Sequence, residues 1–74
     1  SDVMVGFLAK FFSWISTVDE DEVQELKAAL SPAQARNRER LIRLLEASYA
    51  ENAAFTHTVV SLADRHKAAM FLDF

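Results

Sequence analysis

Three features of the sequence predict an all-α fold. The chain holds one Gly and one Pro in 74 residues, so turn-forming positions are scarce. Ala, Leu, Glu and Arg, which give up little side-chain freedom in a helix, are plentiful. Apolar residues recur at steps of three and four, the spacing of one helix face. Together these predict a helical bundle with three helices per chain, at about 3–17, 19–30 and 32–72, the last of them long and the bundle completed by dimerisation.

The first helix is the most apolar. Val3, Met4, Val5, Phe7, Leu8, Ala9, Phe11, Phe12, Trp14 and Ile15 share it with a single charge, Lys10. At about 100° per residue, Gly6, Lys10, Ser13 and Thr17 line one narrow strip and the apolar residues cover most of the remaining circumference. Such a face must be buried against something, and the candidates are a second copy, a partner protein or a membrane surface.

The second helix is expected to begin at Asp19. Glu22 stands at the capping-box position, Val18 and Val23 have the spacing of a hydrophobic staple, and the acidic run 19–22 suits the positive end of the helix dipole. Val23, Leu26, Ala29 and Leu30 would face inward.

Ser31, Pro32 and Gln34 mark the next start, with Ser as N-cap, Pro at the first helical position and Gln closing a capping box. No Gly or Pro follows up to Asp73, and a continuous helix of that length would run about 60 Å. A compact monomer of this size has a radius of gyration of only about 11 Å, so the rod must break or dimerise. Leu41, Leu45, Ser48, Asn52, Phe55, Val59, Leu62, His66 and Ala69 follow alternating steps of four and three, widened by Ile42, Tyr49, Ala63 and Met70. That stripe favours an antiparallel dimer seam in which Asn52 fixes register. The competing reading breaks the helix between Tyr49 and Phe55, with Asn52 as a cap ahead of the poorer helix formers Thr56, Thr58, Val59 and Val60.

Composition sets further bounds. A single domain over 1–74 buries only about 60% of the surface its unfolded chain exposes, so oligomerisation is an obvious source of extra stability. Without Cys there is no disulfide framework or thiolate metal site, and no cofactor is expected. The net charge of −3 argues against nucleic acid as a partner. The N-terminal apolar run is shorter than the roughly 20 residues of a spanning helix and lacks the basic start of a secretory signal, so a cytoplasmic location is expected.

Few residues suggest chemistry. His57, Ser61 and Asp64 share one helix face, but a hydrolytic triad needs such groups to converge in a shielded pocket. His57 and His66 lie on opposite sides of a common helix and cannot chelate one ion. His66 reads as a partly buried neutral imidazole bonded to a neighbour, or more sharply as a pH-sensitive position in a dimer seam. No enzymatic role is expected. Arg36, Arg40 and Arg43 face one way and form a possible anion-binding group, against the alternative of a solvated face carrying Glu39–Arg43 and Arg43–Glu46 pairs. A third option sets the acidic start of the second helix against these Arg residues in a neighbouring protomer.

The sequence is therefore read as a small non-enzymatic protein–protein interaction module, an oligomeric regulator, adaptor or inhibitor that binds itself and a larger protein. Its expected interface residues on the first helix are Phe7, Leu8, Phe11, Phe12, Trp14 and Ile15. On the long helix they are Leu45, Asn52, Phe55, Val59, Leu62 and His66, and at the tail Met70 and Phe71. The alternatives are a carrier of a small apolar or anionic ligand, lined by Tyr49, Phe55, His66 or the Arg group, and a membrane-surface protein anchored by the first helix.

Overall fold

The computed structural model describes residues 2–19 and 29–74. Among them are three α-helices, α1 (Asp2–Ile15), α2 (Pro32–Ser48) and α3 (Ala53–Arg65), then a 3-10 turn over Ala69–Leu72, and no strand. The helix expected at 19–30 falls on residues 20–28, which lie outside the described residues.

The start of α2 is the one its sequence specifies. Ser31 Oγ accepts from the Gln34 N–H at 3.0 Å, and Gln34 Oε1 accepts from the Ser31 N–H at 2.9 Å, so two backbone donors at the helix end are satisfied reciprocally. At the end of α1, the Ser16 hydroxyl donates to the Ser13 carbonyl at 2.8 Å, and the Trp14 carbonyl accepts both the Thr17 N–H at 3.0 Å and the Thr17 hydroxyl at 3.1 Å.

The long helix over 32–72 does not form, and this corrects the preferred sequence reading. Tyr49 leaves the helical region with φ −122° and ψ 40°. Asn52 then restarts the chain as the N-cap of α3, its side chain accepting from the Phe55 N–H at 3.2 Å. Asn52 is an exposed helix cap. Chain reversal lets the stripe bury itself within one chain, so Leu41 and Leu45 of α2 join Val59 of α3 in a common core. Each of the two shorter helices fits within one chain without a second copy.

A second stop ends α3. The Ala68 N–H bonds to the Ala63 carbonyl at 3.0 Å and the Lys67 N–H to that of Asp64 at 3.3 Å, the paired bonds of a Schellman termination. Its left-handed position is filled by Lys67, at φ 52°, where Gly is the usual occupant.

Beyond that stop the chain packs onto α1 and α2. Gln34 Nε2 donates to the Ala69 carbonyl at 3.2 Å and to Asp73 Oδ1 at 3.1 Å. One turn on, Asn37 Nδ2 donates to the carbonyls of Leu72 and Phe74 at 2.7 and 3.0 Å. Phe71 is thereby set among the α1 rings, edge-on to Phe7, Phe11 and Trp14 at centroid distances of 6.4, 6.3 and 5.5 Å. Phe7 and Phe11 stack on each other at 5.5 Å, and Phe11 is fully buried.

Candidate partner-docking face

The wide apolar face of α1 divides in the structure. Met4, Phe7 and Phe11 turn into the core, Leu8, Trp14 and Ile15 are half-buried, and Phe12 is exposed. Phe7, Phe11, Leu45 and Val59, expected at an interface, are spent inside the chain's own core and offer no surface. Phe55 and Leu62 are half-buried against that core. His66 caps the C-terminus of α3, its ring edge-on to Trp14 at 6.5 Å.

Exposed apolar area remains at the C-terminal edge, where Met70 and Phe74 are each 43% accessible. They form one wall of an open trough. Its floor is the strip predicted from the α1 periodicity: Gly6 and Lys10 lie with Met70, Phe71 and Phe74 at one end, and Lys10, Ser13 and Thr17 lie with Met70 and Phe71 at the other. A Cβ built on Gly6 would meet nothing within 4 Å, so the floor is open at that point. Gly6 and Ser13 allow a partner backbone to come close on either side of Lys10, and the unbranched Met70 adapts to uneven surfaces. Met70, expected at an interface, lies on this face, and with Phe74 it reaches α1 only after the two helix stops.

The basic residues of α2 are sorted by side. Arg38 faces α3 and meets Asp64 in a two-point bridge, Nε to Oδ1 at 3.2 Å and Nη2 to Oδ2 at 2.9 Å. It also contacts Glu39 at 3.1 Å. The hydrogen bond to Asp64 is the main cause holding the Arg38 guanidinium pKa above its usual value. Arg36, Arg40 and Arg43 lie on the exposed side. The expected pairs of Arg43 with Glu39 and Glu46 do not form. Among the described residues Arg36 and Arg43 make no ion pair, and Arg40 sits over the Phe74 ring at 5.9 Å.

The groups considered for catalysis or ligand carriage do not converge. Ser61 Oγ and His57 Nε2 are 3.5 Å apart on an exposed face, and the Asp64 carboxylate is committed to Arg38. Tyr49 and Phe55 pair their rings at 4.6 Å at the start of α3, whereas His66 stands at its far end. A separate apolar cleft of about 140 Å³ lies between Leu41, Ile42, Val59, Val60 and Ala63. No group of three or more His, Asp or Glu among the described residues is placed to hold a metal ion. No helix there is long and apolar enough to cross a membrane.

Comparison with protein families, with characterised proteins and with solved structures finds no match to this chain.

Proposed function

We propose that this protein is a non-enzymatic interaction module that receives a segment of another protein in the trough between α1 and the C-terminal turn. The observation that carries the reading is the pair Met70 and Phe74, exposed on a tail that Gln34 and Asn37 hold in place beside the Gly6, Lys10, Ser13 and Thr17 strip of α1. A tail fixed by side-chain hydrogen bonds presents its apolar groups already ordered, which lowers the entropy lost on binding. The proposed role is that of an adaptor or regulator whose partner surface is built from both ends of the chain.

A photo-reactive phenylalanine analogue placed at position 70 in the native cell tests this, with the same analogue at the exposed position 51 as control. The expected result is one dominant cross-linked polypeptide from position 70, absent from position 51 and lost when Gly6→Trp fills the trough. Cross-links that are diffuse, or equal at the two positions, would overturn the reading. A cross-link to the chain itself, with doubled mass in light scattering, would replace the foreign partner with a second copy.

A further inference from the structure

The three exposed guanidinium groups of α2 specify what kind of segment the docking face takes. We infer that the partner segment is an acidic amphipathic helix, with carboxylates on Arg36, Arg40 and Arg43 and its apolar side on Phe74. This deepens the docking reading above and rests on it.

The charge pattern is the first support. The chain carries a formal net charge of −3, yet one side of α2 presents three cations. Acidic residues are available on the same helix, but Glu39 is drawn to Arg38. Arg38 in turn is anchored by Asp64 of α3, so the one Arg used to join helices also takes up the nearest acid. The outer stripe keeps its donors for something else. An overall negative chain disfavours extended polyanions while a local basic stripe still steers a short acidic segment.

Geometry gives the second support. Positions 36, 40 and 43 advance along the axis by about 6 Å and then about 4.5 Å. Carboxylates spaced i, i+4 and i+7 on a neighbouring helix advance by the same steps, whereas alternate residues of a strand advance by about 6.7 Å each time. Arg40 is already positioned. Its guanidinium lies over the Phe74 ring, whose backbone carbonyl accepts from Asn37 Nδ2 at 3.0 Å. No ion pair engages the Arg40 guanidinium among the described residues, so its N–H groups can make a two-point carboxylate contact. Phe74 belongs to both features, since it also walls the trough with Met70. A helix laid along the stripe therefore meets an apolar edge beside its acidic contacts.

The test uses the whole chain and a fluorescent, hydrocarbon-stapled helical peptide bearing Glu at i, i+4 and i+7 with Leu on the adjoining face. A control peptide carries Gln in place of Glu, and anisotropy is read at about 50 mM and about 300 mM salt. The Glu peptide should bind about tenfold or more tighter than the Gln peptide at low salt and lose most of that advantage at high salt. Arg36→Glu with Arg43→Glu should remove the advantage while leaving the far-UV circular dichroism melt in place, and Arg36→Gln with Arg43→Gln should remove most of it. Equal binding of the two peptides, or binding unaffected by these variants, would overturn the inference. Equal binding that is lost in Gly6→Trp would leave the docking reading standing and remove only the acidic partner. Absence of binding by either peptide would overturn the acidic helix, with the cross-linking experiment still deciding the docking face. Tighter binding of a short DNA duplex than of the Glu peptide, dependent on the same Arg residues, would replace the protein partner with nucleic acid.

Discussion

The two ends of the core are held by different kinds of interaction. Where α1 meets the C-terminal turn, Phe7, Phe11, Trp14 and Phe71 pack ring against ring, and residues from opposite ends of the chain supply the contact. Where α2 turns into α3, the structure rests on local devices: the Tyr49 exit, the Asn52 cap and the aliphatic contact of Leu41 and Leu45 with Val59. Packing quality differs in the same sense. Phe11 is fully buried, whereas Thr56 is 7% exposed with a hydroxyl that makes no hydrogen bond among the described residues. The aromatic end is closed by burial, and the hairpin end spends part of its burial on an unsatisfied polar group.

Substitutions on either side should sharpen that contrast. Phe11→Ala removes the enclosed ring of the aromatic end and should destabilise the fold by about 3–5 kcal/mol. In a domain this small the loss should abolish a cooperative thermal transition, read by circular dichroism at 222 nm. A merely modest fall in melting temperature would show that the rings do not close that end. At the other end, Thr56→Val keeps the shape and deletes the orphan hydroxyl, so stability should rise by about 1–2 kcal/mol. A lowered urea midpoint in that variant would mean that the hydroxyl has a partner in solution. The smallest effect concerns the link between the two ends. Lys67→Gly relieves the left-handed strain at the Schellman turn and should raise stability by about 0.5–1 kcal/mol. That corresponds to a gain of a few degrees in melting temperature, and a loss would show that the Lys67 side chain contributes more than its backbone strain costs.

Local signals were legible in the sequence and distant ones were not. Ser31, Pro32 and Gln34 announced the start of α2, because a capping box needs only residues within one turn. Asn52 was legible as a cap, but its place on a stripe of alternating four-and-three steps, apolar except at Ser48, Asn52 and His66, also suited a dimer seam. Periodicity cannot separate two helices folded together from one helix paired with a copy, since both bury the same stripe. The stop at Lys67 gave no sign, because the turn is secured by backbone bonds and its left-handed position holds a residue that does not favour it. For the candidate site, the strip Gly6, Lys10, Ser13 and Thr17 and the grouping of Arg36, Arg40 and Arg43 could be read from helical spacing. What helical spacing did not specify was that Phe74 stands between them, since its place follows from the two helix stops.

Gln34 shows how a single residue can be specified twice. In a capping box the third helical position accepts Glu as readily as Gln, because only an acceptor oxygen is needed and a negative charge suits the helix dipole. Here the oxygen serves the cap, and both hydrogens of the amide are taken by Ala69 and Asp73. A carboxylate would keep the first role, lose the second and set a like charge against Asp73. The spelling of a local helix signal is thus dictated by residues at the other end of the chain. The Ser31 N–H on one side and the Ala69 and Asp73 acceptors on the other demand the same orientation of the Gln34 amide.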